Sequence, residues 1–273
     1  MAGKKKKVTQ ARIISNKKIA PDHFTMELEA PFLAQNSAPG QFVTVKTQEK
    51  GASDPLFRIP LGVHAVRKSG IKLLYKVVGT ATGMLSAKAK GETLDVLGPL
   101  GNGFDLAPVL RNKDSRAVLV AGGHGVAPLY FLAKTLARKK RKIDVFIGAC
   151  EAKHIVCAKE FRKLKAKVTT AAEKGRCQCQ GYVTKPLSEY LRRNRKHAQK
   201  MTIYACGPRP MLAALAEEAK KYQVPAQGSL DAYMVCGIGA CLGCAVETTD
   251  GYKLVCKDGP VFNVQEIKWK KAC

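Results

Sequence analysis

Four cysteines near the C-terminus constrain this chain more than any other feature: Cys236, Cys241, Cys244 and Cys256, in the run DAYMVCGIGACLGCAVETTDGYKLVC. The first three follow the spacing C-x4-C-x2-C and the fourth returns after a short insert, the plant-type ligand set of a [2Fe–2S] cluster. Thiolates are soft ligands that hold two irons bridged by sulfide. The first three must then come from one tight loop. Gly237, Gly239 and Gly243 let its backbone turn closely and aim N–H groups at sulfur. The competing use of four cysteines is a structural zinc site, which usually carries two C-x2-C knuckles, and this run has one. A cluster moves one electron at a time, so the rest of the chain is expected to provide an electron source.

A chain of 273 residues has room for two ordinary domains plus such a module, and its 46% hydrophobic content supports a real core. The other six cysteines (Cys150, Cys157, Cys177, Cys179, Cys206 and Cys273) are scattered, so no disulfide framework is read. Iron held by thiolates belongs in a reducing compartment. The basic N-terminus MAGKKKKVTQARII is followed by no apolar segment of signal length. The most apolar stretch, Ala117 to Ala133, is interrupted by glycines, a proline and a histidine, and reads as strand, loop and helix start rather than a membrane span. A cytoplasmic protein with no membrane partner is expected. The net charge of +26 raises the question of nucleic acid. Its basic runs (Lys4 to Lys7, Arg138 to Lys142, Arg192 to Lys196, Lys268 to Lys271) are dispersed and lack interleaved aromatics. That argues against specific nucleic-acid recognition and leaves salt-sensitive attraction to polyanions.

Residues 8 to about 105 read as β-rich. QFVTVKT, GVHAV, IKLLYKVV and ETLDVLG are separated by turn signals at Pro39-Gly40, Gly51, Ser69-Gly70, Gly91 and Gly98-Pro99, the texture of a small antiparallel barrel. A short helix is expected over Thr82 to Lys88. From Ser115 the texture changes. RAVLVAGG, IDVFIGAC, KVTTAA and MTIYACG alternate with the helical runs PLYFLAKTLARKK, KEFRKLKAK, KPLSEYLRRNRK and PMLAALAEEAKKY, which implies a parallel α/β sheet with right-handed crossovers. The cysteine module begins after Gln227. The expected division is a barrel over 8–107, an α/β domain over 108–227 and the cluster module over 228–273.

Within the α/β part, VAGGHGVAPL places Gly122, Gly123 and Gly125 between a buried strand and a helix. Such a turn admits a phosphate to the backbone at a helix N-terminus, and Pro128 suits the first helical turn. A tight turn without a ligand is the plainer reading of the glycines alone. A second landmark, YACGPRPML, sets Cys206, Gly207 and Pro208 between a strand and a helix. Ligands of open α/β sheets sit at the carboxyl ends of strands, so both landmarks are expected to face one crevice that binds a nucleotide diphosphate. The plainer role for Cys206 is that of a small buried hydrophobe.

GPLGNGF (Gly98 to Phe104), GGHGVAPLY (Gly122 to Tyr130), ACGPRPML (Ala205 to Leu212), the cysteine run and VCKDGPVF (Val255 to Phe262) occur in that order. Together they resemble the electron-transfer subunits of NAD-dependent dihydroorotate dehydrogenases, within the ferredoxin-reductase superfamily, from about Gln10 to Ile267. The resemblance implies an α+β multidomain fold: an antiparallel β-barrel binding FAD, a parallel α/β domain binding NAD(H), and a small C-terminal [2Fe–2S] module. It further implies a relay between NAD(H), FAD and the cluster. The cluster would exchange electrons with a separate FMN-containing dihydroorotate dehydrogenase catalytic subunit, within a heterotetramer of de novo pyrimidine synthesis. A flavin suits that relay because a hydride carries two electrons and the cluster takes one.

Carried over residue by residue, Arg58, Pro60 and Leu61 would line the flavin phosphate loop. Leu74, Tyr75 and Lys76 would form the next flavin strand, with Tyr75 against the ring or ribose. Ala81 and Thr82 would hold the diphosphate at a helix start. The flavin loop departs from the family's usual R-P-x-S: Ile59 and Gly62 stand at the Arg and Ser positions, and Arg58, one residue earlier, can swing to the phosphate. The R-I-P-L run resembles subunits of ferredoxin:NADP oxidoreductases and sulfide dehydrogenases, the alternative reading. Those typically carry Asp in place of the first cluster cysteine, and Cys236 argues against them. A basic iron–sulfur protein that binds nucleic acid without flavin is the alternative from another class. His124 stands where the family more often has Thr or Ile and reads as a solvated loop residue. Cys177 and Cys179, in GRCQCQG, replace a usually polar segment, and a second metal site there lacks obvious partners.

Overall fold

The computed structural model describes residues 6–48 and 54–269. Gly51, Lys4, Lys271 and Cys273, invoked above, lie outside the described residues.

Six strands close into an antiparallel barrel: β1 (Lys7–Ala20), β2 (His23–Glu29), β3 (Phe42–Lys46), β4 (Ile59–Val66), β5 (Gly70–Lys76) and β6 (Thr93–Leu100), in the order β1-β2-β5-β4-β3-β6. Closure removes the free edges that an open sheet of this size exposes. The sequence reading omitted β1 and β2. Polar and charged residues interrupt their apolar alternation, and β1 carries register shifts near Ile13 and Lys18 that break a strict period of two. Inward side chains from all six strands, among them Ile13, Met26, Val43, Val45, Leu73 and Val96, fill the barrel. Two short helices, α1 (Pro31–Asn36) and α2 (Thr80–Ala87), decorate it. The second starts two residues before the expected helix.

After α3 (Ala107–Leu110) come β7 (Arg116–Gly122), α4 (Val126–Arg138), β8 (Lys142–Glu151), α5 (Ala158–Lys163), β9 (Lys167–Lys174), β10 (Cys179–Gln180), α6 (Thr184–Arg193), β11 (Met201–Cys206), α7 (Arg209–Lys221) and β12 (Ala226–Ser229). The strands lie in the order β10-β9-β8-β7-β11-β12, all parallel. β7, at the centre, is buried along nearly its whole length because helices cover both faces, which explains its unbroken apolar run.

The remaining strands are β13 (Ala245–Thr248), β14 (Gly251–Leu254) and β15 (Val261–Asn263). β13 and β14 form a hairpin, and β15 extends the large sheet by pairing antiparallel with β12. The core under α6 and α7 continues through Val246, Val255 and the thiols Cys244 and Cys256 to Phe42 and Leu100 of the barrel. Barrel, sheet and cysteine module therefore share one packed interior at their meeting point. Among the described residues no helix is long and apolar enough to cross a membrane.

Candidate functional site

The cysteine loop is shaped by its glycines. Gly237 and Gly239 adopt φ of +69° and +88°, a conformation costly for residues with a Cβ. The resulting turn aims three backbone donors at one sulfur: the N–H groups of Ile238, Ala240 and Cys241 lie 3.4, 3.3 and 3.5 Å from Cys236 Sγ. Desolvation opposes ionisation of Cys236, but these N–H groups outweigh it and hold the thiol down at about 6. The β13–β14 hairpin returns the chain so that the Cys256 N–H donates to Cys244 Sγ at 3.4 Å. Burial, together with donation of its own proton to Cys244, pushes the Cys256 thiol up to about 12.

The thiols interact across the loop and hairpin: Cys236 with Cys241, Cys244 with Cys256, and Cys256 also with Cys236. None is tied up in a disulfide. Among the described residues no three ligating side chains gather tightly enough for one metal ion. The C-x4-C-x2-C spacing with a fourth cysteine after an insert suits two irons bridged by sulfide, where a zinc ribbon carries two C-x2-C knuckles. The donors already aimed at Cys236 are those that stabilise a thiolate bound to iron. Cys244 and Cys256 are buried while Cys241 is exposed, so the centre has an inner side against the protein and an outer side toward solvent.

The two landmarks of the α/β part meet. β7 and β11 are neighbours, with Ala121 opposite Cys206. A Cβ on Gly122 would stand 2.7 Å from Met211 Sδ and from Pro208 Cδ, and one on Gly207 would stand 3.0 Å from the Gly122 backbone. A Cβ on Gly125 would run into the Cys206 carbonyl. These three glycines are needed for loop-on-loop packing. Gly123 differs: its φ is +54° and nothing lies within 4 Å of its Cβ position, so it alone leaves open space ahead of α4. Burial first, then the charge of Asp231, push the Cys206 thiol up to about 12. It stands neutral at the strand end. Pro208 caps α7. His124 is exposed, with Nε2 3.7 Å from Asp231. Cys177 donates to the Cys179 carbonyl at the far edge of the same sheet.

On the barrel side, Gly62 of β4 lies against Pro128 of α4 and Leu74 of β5 joins the core beneath α4; strand alternation puts Pro60 on the same side as Gly62, while Ile59, Leu61 and Tyr75 pack with the barrel core. Four expectations change here. Tyr75 does not point to a ring or ribose: it is 2% exposed, stacks on Phe24 and donates to Asn16 Oδ1 at 2.9 Å. Strand alternation sends Tyr75 inward when Leu74 goes outward. Leu61 is turned toward the barrel core by the same rule. Arg58 is not free to swing, because its guanidinium donates to the Asp95 carboxylate at 2.8 Å and to the Asp95 carbonyl at 3.1 Å. Thr82 is likewise engaged: its hydroxyl accepts from the N–H groups of Val78 and Gly79 and donates to the Gly79 carbonyl.

What remains open at the start of α2 is backbone. Nothing lies within 4 Å of the Cβ positions of Gly79 and Gly83, and Ala81 sits between them, a cradle that fits a diphosphate. Lys76 lies half-buried where β5 leads toward it. Sequence reasoning missed Asn16, whose amide donates to the carbonyls of Leu85, Ser86 and Lys88 and fixes the far end of this helix. It also missed His64, whose ring stacks on Tyr130 and whose Nδ1 donates to the Ala127 carbonyl at 2.9 Å, tying β4 to the start of α4. Neither residue has a local sequence signal, since both act across long separations.

Residues 231–268 match the family described as the iron–sulfur cluster binding domain of dihydroorotate dehydrogenase B, and residues 119–217 match the oxidoreductase NAD-binding domain. The dihydroorotate dehydrogenase B (NAD(+)) electron transfer subunit of Desulforamulus reducens is 35% identical over 270 residues, covering 97% of this chain and 99% of that protein. The chain belongs to this family of electron transfer subunits. The corresponding subunit of Geobacillus kaustophilus is 37% identical over 262 residues, 93% of this chain and 96% of that one. Among solved structures, a chain of the NADH-dependent reduced ferredoxin-NADP oxidoreductase superposes with a TM-score of 0.82 at 32% identity, over 98% of this chain and 92% of its own. The ferredoxin reductase of carbazole 1,9a-dioxygenase shares the fold, with a TM-score of 0.68 at 18% identity over 81% of this chain and 67% of its own.

As a dihydroorotate dehydrogenase B electron transfer subunit, the protein is a flavin- and iron–sulfur-dependent oxidoreductase of electron transport whose cofactors are FAD, a [2Fe–2S] cluster and NAD(H). A subunit of this kind serves a catalytic dihydroorotate dehydrogenase partner.

Proposed function

We propose that this subunit relays electrons between NAD(H) and an FMN-containing catalytic subunit, with dihydroorotate to NAD(+) the direction in the cell. The observation that carries the reading is that Cys236, Cys241 and Cys244 lie on one loop whose Gly237 rests against the barrel, with Cys256 returned beside Cys244 by the hairpin. When bound, FAD supplies the conversion between hydride and single electrons, and the cluster supplies one-electron passage. The residues supply placement. Gly123 and the start of α4 take the dinucleotide diphosphate, Gly122, Gly125, Gly207 and Pro208 hold that loop in shape, and Cys206 stands neutral beside it. Pro60, Gly62 and Leu74 border the flavin, Ala81 and the start of α2 take its diphosphate, and Lys76 adds positive charge. Arg58, held by Asp95, stiffens the neighbouring loop.

The functional division at 8–107, 108–227 and 228–273 follows these three tasks. Tyr233, Val235, Ile238 and Leu242 are exposed apolar side chains flanking the cluster loop, and they form the face on which the catalytic subunit docks. The assembly in this reading is a heterotetramer with two copies of each subunit, and thiolate-held iron suits a reducing cytoplasm. Copurification from the native host tests this. The expected complex contains FMN, FAD and iron and forms NADH from dihydroorotate, whereas the isolated chain does not oxidise dihydroorotate. A ferredoxin-linked reductase is the second reading, favoured by the 32% identity to the reduced ferredoxin-NADP oxidoreductase chain. Recovery with that kind of partner, and ferredoxin-dependent reduction of NADP(+), would replace the first reading.

A further inference from the structure

Two of the basic runs, Arg138 to Lys142 and Arg192 to Lys196, have no part in the electron relay. The fold brings the end of the first and the tail of the second to one place, the amino ends of the strands of the large sheet. Arg116, Lys142 and Met201 are the first residues of β7, β8 and β11, and they stand side by side in register across these neighbouring strands. Lys200 precedes Met201, and His197 lies in the connection between α6 and β11. With Asp114 and Asn194, these residues line a cavity of about 320 Å³. Nucleotides bind such sheets at the opposite, carboxyl ends, so the dinucleotide crevice does not account for this cavity.

Arg116 is fixed in orientation here. Its Nη1 donates to Asp144 Oδ2 at 2.8 Å, and the buried Asp144 carboxylate also accepts from the Tyr190 hydroxyl at 3.1 Å. One edge of the guanidinium is thereby engaged, and the side chain, 31% exposed, keeps N–H donors for another partner. Lys142 Nζ lies 3.8 Å from Asp114 in a pair whose side chains are both more than half exposed, and such pairs are weak. Among the described residues the side chains of Lys200 and His197 make no hydrogen bond or ion pair. Like charges opposite one another on adjacent strands destabilise a sheet. Three permanent cations meet two carboxylates here, one buried against Arg116 and the other loosely held. Folding alone gives no reason to gather them.

We propose that this cavity binds a phosphate group, carried by inorganic phosphate or by a small phosphomonoester. The planar guanidinium of Arg116 suits two phosphate oxygens, and Lys142 and Lys200 supply further charge. The volume lies at the lower end of the range, roughly 300–1,000 Å³, that holds small organic ligands. Asp114, a carboxylate on the same wall, opposes the anion and limits its affinity. The site depends neither on the cluster assignment nor on the partner subunit.

The test is equilibrium dialysis of radiolabelled inorganic phosphate, and separately of glycerol phosphate, against the full-length protein carrying FAD and iron, at fixed ionic strength with NAD(+) saturating the crevice. Wild type is expected to take up one phosphate per chain. Lys142→Gln and Lys200→Gln each weaken binding about tenfold, the loss of one hydrogen bond to a charged group. Asp114→Asn tightens it, an effect that disruption of the fold does not produce. Lys68→Gln, which removes an exposed charge from the β4–β5 turn, leaves the affinity unchanged. Tighter binding of glycerol phosphate assigns the ligand to an ester and equal affinity assigns it to the free ion; both support the site. No saturable uptake by wild type, unchanged affinity in Lys142→Gln and Lys200→Gln, an equal loss in Lys68→Gln, or weaker binding in Asp114→Asn overturns the proposal.

Discussion

Two glycine-bearing loops dominate this molecule, and they use the same residue for different physical reasons. At Gly122, Gly125 and Gly207 the glycines let two loops of the sheet pack backbone to backbone; a Cβ would strike Met211, Pro208 or the Cys206 carbonyl. At Gly237 and Gly239 the glycines supply a left-handed backbone that turns three N–H groups onto one thiol. The first loop is a matter of space and the second of direction. Gly123 belongs with the second class although it lies in the first loop, because its φ is positive and its surroundings are open.

The contrast can be broken at the metal end first. Cys241→Ser removes one ligand from the exposed pair and is expected to abolish the cluster, read as loss of bound iron and of its visible bands, while NADH-dependent flavin bleaching in a stopped-flow trace persists. Loss of flavin bleaching with the iron retained would contradict the order of the relay. Gly125→Ala pushes a methyl into backbone that cannot move aside, and about 3 kcal/mol of lost stability is expected in denaturant unfolding. A loss under about 0.5 kcal/mol would show that the loops pack less tightly than described.

His64, against the start of α4, gives a pH test. Burial, outweighing its bond to Ala127, lowers its pKa from 6.5 to about 4. The unfolded chain therefore binds a proton that the folded chain refuses between those values. The stability contribution is full above pH 6.5, declines as pH falls, and levels off near pH 4, a loss of about 3 kcal/mol. His64→Gln should flatten that slope in pH-dependent unfolding curves; an unchanged slope assigns it to other groups. The smallest effect is expected from Gly123→Ala. It costs about 1–2 kcal/mol through backbone strain alone, with NAD(H) affinity reduced by more than the stability loss accounts for. Equal losses in titration calorimetry and unfolding would reduce Gly123 to a turn residue.

How far the sequence reveals these features follows from the range over which each is determined. The cysteine spacing, the strand–turn–helix around Gly122 and the alternation from Ser115 onward are local patterns, and the α+β architecture with its barrel follows from them. The direction of Tyr75 is set by strand register, and the sequence KLLYK does not say which face is inside. Arg58 is decided by Asp95, thirty-seven residues away, and α2 by Asn16, about seventy residues away. The addition of β15 to the edge of the large sheet joins residues far apart in order, through a three-residue strand too short to carry a period of its own.

The relay itself is tested most directly by anaerobic reduction of the purified protein, carrying FAD and iron, with NADH, followed by absorption and low-temperature EPR on the same sample. The expected result is bleaching of the flavin band together with the signal of a reduced, thiolate-held iron pair. Flavin bleaching with no paramagnetic iron pair, in protein that contains two irons per chain, would contradict electron passage from the barrel to the cysteine loop.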